Sequence, residues 1–207
     1  RFLGTSAVGL YRAAWDLGMT PLEIILQVVN RVQYPIYARL QAHQEELTRA
    51  FYRSIRSLLL LLGPLAALIC FASPDIFHLI GGGKWLPSIP LVQVLVWASL
   101  LRGIALLFPQ LYHATGHPEL GIYDSLVTGG TLVLGFLLAL SFAPPETGTL
   151  WVCLVWLLTF PFTLALHFYM VRRSAPITPR GLGGELLRPV LAIVCLSLLL
   201  ALGGGLR

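Results

Sequence analysis

Glu23 and Arg102 each interrupt an apolar run far from its ends, which makes them the first candidates for chemistry. An ionisable side chain at mid-bilayer costs at least about 2.5 to 3.5 kcal/mol on insertion scales, so it is retained where it meets a partner, a cavity or a ligand. Glu23 lies about 15 residues, roughly 23 Å of helix, from the expected outer end of its span, and Arg102 about 14 residues, roughly 21 Å, from the outer end of its own. The matching depths predict a shared cavity near the midplane, where the two pair with each other or hold a polar ligand. A structural ion pair pinning two helices is the alternative.

Glu23 belongs to a longer pattern. Arg12, Asp16, Thr20, Glu23, Gln27, Asn30 or Arg31, and Tyr34 follow at steps of three or four, which stacks them into one polar stripe on a helix. Leu17, Leu22, Ile24, Ile25, Val28 and Val29 fill much of the remaining surface. Such a stripe cannot face lipid, so Arg12, Asp16, Glu23, Gln27, Asn30, Arg31 and Arg102 are the expected cavity residues. For four of them a plainer reading stands beside this one: Arg12 and Asp16 as a local pair one turn apart, Asn30 and Arg31 at the inner interface near lipid phosphates.

Other polar residues suggest less. Tyr123 and Asp124 open an expected helix, where a carboxylate is favoured at the N-terminus whatever the function. His113 and His117 are four apart, but Gly116 and Pro118 break the helix that would bring them together, so no metal site is expected. Gly81, Gly82, Gly83 and Lys84 lack the strand and helix that a phosphate-cradling loop requires. Cys70, Cys153 and Cys195 fall in apolar runs without ligand-like spacing and read as packing residues. Trp85, Trp97, Trp151 and Trp156 suit an interfacial belt or packing. No catalytic constellation and no cofactor is evident.

The elements that must hold these residues are set by composition. Of 207 residues 57% are hydrophobic and 11% charged, and the mean hydropathy is +0.80. That leaves too little polar surface for a water-soluble globule. Apolar runs of about 20 residues, enough to cross roughly 30 Å of hydrocarbon, recur throughout. The reading is an all-α membrane protein, a polytopic bundle of about six transmembrane helices over residues 8–35, 55–79, 88–112, 121–143, 150–171 and 188–206. The first residue is Arg1 and no signal peptide is visible, which suggests a piece of a longer protein.

Lys and Arg concentrate in cytoplasmic loops of membrane proteins. Arg39, Arg49, Arg53, Arg56, Arg172, Arg173, Arg180 and Arg188 fall on one side of the expected bundle; Arg1, Lys84 and Arg207 fall on the other. The connectors 36–54, 113–120 and 172–187 are therefore expected in the cytoplasm. The net charge of +5 then reflects topology and attraction to anionic lipid, and nucleic-acid binding is not expected.

A resemblance joins these observations. Leu3-Gly4-Thr5-Ser6-Ala7-Val8-Gly9-Leu10-Tyr11-Arg12-Ala13-Ala14, then Pro21, then Arg31-Val32-Gln33-Tyr34-Pro35-Ile36-Tyr37-Ala38-Arg39-Leu40-Gln41 resembles the bacterial polysaccharide and lipopolysaccharide exporters, the O-antigen and exopolysaccharide flippases of the multidrug, oligosaccharidyl-lipid and polysaccharide transporter superfamily. Gly83-Lys84-Trp85-Leu86-Pro87 is similar to that family's glycine, lysine, tryptophan and proline turn, and Ala114-Thr115-Gly116-His117-Pro118 to its alanine-x-glycine-x-proline turn. The matches run in order over residues 1–125; beyond them only hydrophobicity agrees.

The resemblance implies the C-terminal half of a transporter of about 12 to 14 helices, with an N-terminal half opposite it across a central cavity. It implies a multi-pass protein of the bacterial inner membrane that flips a lipid-linked oligosaccharide, a repeat unit on undecaprenyl diphosphate. Arg12, Arg31 and Arg102 would hold the diphosphate and sugar by charge-assisted hydrogen bonds while the lipid tail stays in the membrane. Asp16 and Glu23 would take a coupling ion, sodium or a proton. A multidrug or small-molecule antiporter of the same superfamily would prefer a cavity dominated by carboxylates, against which three intramembrane arginines argue. A glycan polymerase or ligase would need a long outer loop with catalytic groups, and the outer connectors are short. A purely structural role leaves Glu23 and Arg102 unexplained.

Overall fold

A computed structural model describes residues 4–144, 147–171, 177 and 179–204, and every regular element among them is helical. In chain order these are α1 (Gly4–Gly18), α2 (Thr20–Leu40), α3 (Gln44–Gly81), a 3₁₀ segment (Gly82–Ser88), α4 (Ile89–Ala105), α5 (Leu107–Ala114), α6 (Pro118–Phe142), α7 (Gly148–Val171) and α8 (Pro179–Gly204). Four of the described stretches are long and apolar enough to cross a membrane: Gln44–Ile80, Gly83–Ala114, Pro118–Phe142 and Gly148–Val171. The chain is a polytopic helical membrane protein.

The two remaining expected spans, the first and the last of about six, take other forms among the described residues. The apolar part of α8, Leu186–Ala201, is shorter than a full span. The first span, expected as one helix over 8–35, is broken at Met19 into α1 and α2. Pro21 has no N–H to give and its ring crowds the carbonyl four residues back. The ladder is otherwise carried through the break, with Met19 N–H donating to Trp15 O at 2.8 Å and Glu23 N–H to Met19 O at 3.0 Å. Gly18 packs this kink against α4, where an added Cβ would stand 3.3 Å from both Leu95 Cβ and Val92 O.

The third expected span, 88–112, is broken in the same way at Leu106, between α4 and α5. Pro109 lies three residues beyond that break and removes one of the hydrogen bonds that would carry the helix across it. The residues expected as a polar connector over 36–54 are nearly all helix, interrupted only between Leu40 and Gln44. Leu47, Phe51, Ile55, Leu58 and Leu62 are buried at steps of three and four, the stripe that docks a helix on a core. Arg49 and Arg53 face outward on the same element, with Arg49 Nη2 3.0 Å from Glu45 Oε2.

Between α5 and α6 the turn uses Gly116 at φ +79, a conformation that costs other residues a steric penalty. Pro118 then opens α6, where a missing N–H is harmless. Helix α8 begins inside the expected connector 172–187; residues 172–176 and 178 of that connector, with Arg172 and Arg173, lie outside the described residues, as do Arg1 and Arg207.

The core sits between α3 and α4, where Leu58, Leu62, Leu95 and Val96 are buried, and α2, α5 and α7 close over it with Leu26, Phe108 and Phe160. Within a membrane, burial of apolar area adds little, because lipid tails are as apolar as leucine; close approach of backbones matters more. Gly103 provides it between α4 and α2, where a Cβ would meet Leu26 Cδ2 at 2.8 Å, and Gly135 between α6 and α7, where it would meet Val155 Cγ1 at 2.6 Å. Between α1 and α7, Trp15 and Trp156 pack edge to face at 5.2 Å. The Trp156 indole N–H donates to the Tyr11 hydroxyl at 3.1 Å.

Candidate functional site

The two broken helices lie side by side, and an ion pair bridges them near their breaks. Arg102, four residues before Leu106, donates from Nη1 to Oε1 of Glu23, four residues after Met19. Counted along their helices, Glu23 lies about 29 Å from the start of α1 and 26 Å from the end of α2. Arg102 lies about 20 Å from the start of α4 and 18 Å from the end of α5. Both are central. Their side chains keep 26% and 30% of their surface accessible, so the pair is neither sealed in the core nor fully open.

Three features build this arrangement. Gly103 lets α2 approach α4 beside Arg102. Leu22 and Leu26, buried on the inward face of α2, set its rotation so that Glu23 lies at the edge of the contact. The break at Met19 sets Glu23 two residues after Pro21, which has no N–H for the Leu17 carbonyl.

The rest of the expected stripe follows the outer face of α1 and α2. Arg12 Nε lies 3.0 Å from Asp16 Oδ2 and both are well exposed, so these two form the local pair one turn apart. Gln27 and Arg31 are exposed, and Asn30 is half-buried with a buried Oδ1 that has no hydrogen-bond partner. The exposed face is mixed, since Ile24 and Val28 stand out at 60% and 61%. Of the seven expected residues the structure pairs Glu23 with Arg102 and Arg12 with Asp16, and leaves Gln27, Asn30 and Arg31 along the same outward face.

One expectation fails on contact. Asp124 is expected as an N-terminal carboxylate of its helix, but α6 starts at Pro118, so Asp124 sits almost two turns inside. Its Oδ1 accepts from His167 Nε2 of α7 and from Thr128 Oγ1 at 3.2 Å. His167 was not among the expected residues. A lone histidine in the apolar run Leu164 to Phe168 is itself a signal, since intramembrane ionisable groups are rare without a partner.

The two histidines four apart, His113 and His117, do not converge. His117 Nδ1 lies 3.1 Å from Glu119 Oε1, while the His113 ring lies against Gly121. Among the described residues no group of three or more His, Cys, Asp or Glu side chains converges. A cavity of about 620 Å³ opens between α3, α4, α7 and α8. Leu59, Phe71, Leu101, Phe168 and Ile193 line it, a surface suited to acyl chains and unable to bind a sugar or a phosphate.

Comparisons with known proteins agree with this architecture. No solved structure matches the chain. It is 29% identical over 184 residues to the teichuronic acid biosynthesis protein TuaB of Bacillus subtilis, covering 82% of this chain and 37% of that protein. Against the lipopolysaccharide biosynthesis protein WzxC of Escherichia coli it is 25% identical over 206 residues, 87% of this chain and 42% of the relative. An uncharacterised membrane protein of the cps region of Klebsiella pneumoniae is 27% identical over 127 residues, 61% of this chain and 26% of that protein. The chain thus spans well under half the length of these curated relatives. Residues 1–90, which hold α1, α2, α3 and Glu23, match a family profile described as "Polysaccharide biosynthesis protein", and over that stretch the chain is similar to this family.

Proposed function

We propose that this chain is the C-terminal bundle of an exporter that moves a lipid-linked oligosaccharide from the cytoplasmic to the outer leaflet of a bacterial inner membrane. The observation that carries the reading is the Glu23–Arg102 pair, a partly accessible charge pair bridging two interrupted helices midway along their length. A diphosphate is a stronger anion than a single carboxylate and can displace Glu23 from Arg102, so the pair serves as a resting clasp that substrate opens. The outward stripe of Gln27, Asn30 and Arg31 would then line the wall that faces an N-terminal bundle across the cavity, and rocking of the two bundles would carry the head group across.

The names of the relatives support a role in surface glycan biosynthesis. The paired rather than clustered carboxylates of α1 and α2 support carriage over catalysis, because group transfer needs an acid and a base converging on one bond. The connectors 41–43 and 115–117 lie on the cytoplasmic side in this reading.

The test uses the full-length protein in cells lacking their own exporter, scored by repeat units at the cell surface. Rescue by the natural protein, lost in Arg102→Ala and Glu23→Gln at normal abundance, is the expected result. Rescue that survives both substitutions would reduce the pair to a structural anchor, and no rescue with any matched glycan would overturn the reading.

A further inference from the structure

Away from the Glu23–Arg102 pair, two features line up along one face of α3. Arg49, Tyr52, Arg53 and Arg56 line a pocket of about 280 Å³, and their spacing at three and four residues puts them on a single face of the helix. Leu59, Gly63 and Phe71 continue that face beyond Arg56, at steps of three, four and eight. Ile193 of α8 fills the space that a side chain would need at Gly63, so α8 packs on the same face. Leu59, Phe71 and Ile193 also line the cavity of about 620 Å³ between α3, α4, α7 and α8. A basic pocket thus stands at one end of an apolar cavity, with less than one turn of helix between Arg56 and Leu59.

Together they have the chemistry of a seat for a lipid with an anionic head. From Leu59 to Phe71 the cavity follows α3 for about 18 Å, roughly the depth of one leaflet. Its lining is aliphatic and aromatic save for Ser197. Val190, Val194 and Leu198 on its rim are exposed, so an acyl chain can enter sideways from the bilayer. At the basic end, each guanidinium presents a fork of N–H donors that matches phosphate oxygens. Arg49 already meets Glu45, but both side chains are well exposed, and such a pair one turn apart holds its partners weakly. Basic pockets beside membrane helices bind anionic head groups on the cytoplasmic side.

The position selects a resident lipid over a carried one. Arg102 pairs with Glu23 on α2, whereas the walls of this cavity are α3, α4, α7 and α8. On α4 the lining residues Trp97, Leu101 and Ile104 recur at steps of four and three, which turns Arg102 to the other side of that helix. A lipid seated here is separated from the central pair by α4, and the apolar cavity above its head offers a sugar no partners. The seat also sits where the bundle needs filling. Among the described residues α8 packs chiefly on α3, so a chain in the cavity supplies the contact between α8 and the walls formed by α4 and α7.

We propose that this bundle carries a binding site for an anionic phospholipid of the cytoplasmic leaflet, its phosphate held by Arg49, Arg53 and Arg56 and an acyl chain lying in the cavity beside Ile193. The choice of leaflet rests on the orientation proposed above; the binding chemistry does not. The test titrates the full-length protein in neutral detergent with phosphatidylglycerol or with phosphatidylcholine of the same chains, and counts bound lipid by native mass spectrometry. The natural protein should bind a first phosphatidylglycerol about tenfold or more tighter than phosphatidylcholine. The triple variant Arg49→Gln, Arg53→Gln, Arg56→Gln should erase that preference. Leu101→Trp, or Val194→Trp from the exposed rim, should fill the cavity and weaken the same first site with the arginines intact. Lys84→Gln, beyond the other end of α3, should leave it unchanged. Equal binding of the two lipids by the natural protein overturns the proposal, as does a preference that survives the triple variant or both folded cavity variants. Displacement of phosphatidylglycerol by an equal concentration of undecaprenyl phosphate would make this a seat for the carried lipid and would overturn it too. Export is not measured, so failure here is separable from failure of the transport reading.

Discussion

Removing the Arg102 guanidinium should cost the bundle more than removing Glu23 and Arg102 together. Breaking a fully buried ion pair from one side costs about 3 to 5 kcal/mol, because the surviving charge is left unmatched. Here 26% and 30% of the two side chains remains accessible, so the pair is not fully buried and the expected loss for Arg102→Met falls below that range, at about 1.5 to 3 kcal/mol. Glu23→Gln keeps an acceptor for Arg102 and should cost about 1 kcal/mol, in line with interhelical hydrogen bonds in membranes. The double variant carries no charge to strand and should cost less than the sum by about 1 to 2 kcal/mol. Reversible unfolding of the full-length protein in mixed detergent micelles, taken around this four-member cycle, reads the coupling. Costs that add within about 0.5 kcal/mol would refute the reasoning, since independent groups behave that way. Export measured on the folded double variant then separates the two roles: an anchor predicts export retained, a substrate clasp predicts export lost.

Three further outcomes follow from the packing. Gly135→Leu drives a side chain into Val155, which stands 2.6 Å from where a Cβ would lie; it should destabilise by about 1 to 3 kcal/mol in thermal unfolding, whereas Gly129→Leu, with open space around it, should change little. Trp156→Phe removes the indole donor to Tyr11 and part of the aromatic contact with Trp15, and should cost about 1 to 2 kcal/mol in the same assay. Single cysteines in place of Arg53 and Lys84, in a background without Cys70, Cys153 and Cys195, should react with impermeant thiol reagents from the cytoplasmic and the outer side respectively.

Much of this architecture is legible in the sequence, and the failures have physical causes. Apolar runs of spanning length give the helices of α3, α6 and α7 directly, because a bilayer admits few other backbones. The depth match of Glu23 and Arg102 is visible by counting, since helical rise converts residues to distance. The start of α3, over 44–54, is hidden by its charges: Glu45, Glu46, Arg49, Arg53 and Arg56 suggest a loop until the buried series Leu47, Phe51, Ile55 is read beside them. The kinks at Met19 and Leu106 were signalled by Pro21 and Pro109, yet hydropathy treats a kinked helix as a straight one. Asp124 and His167 lie 43 residues apart, and no local pattern links them. Only the packing of α6 on α7 turns an apparent helix-start carboxylate into half of a buried pair.

The most direct test of the central claim is reconstitution of the full-length protein in lipid vesicles with a labelled undecaprenyl diphosphate oligosaccharide in one leaflet, timing its appearance in the other. Acceleration by the natural protein, lost in folded Arg102→Met, is the expected result. Equal rates with the natural protein, with the variant and with empty vesicles would contradict the claim that this bundle carries a lipid-linked glycan across the membrane.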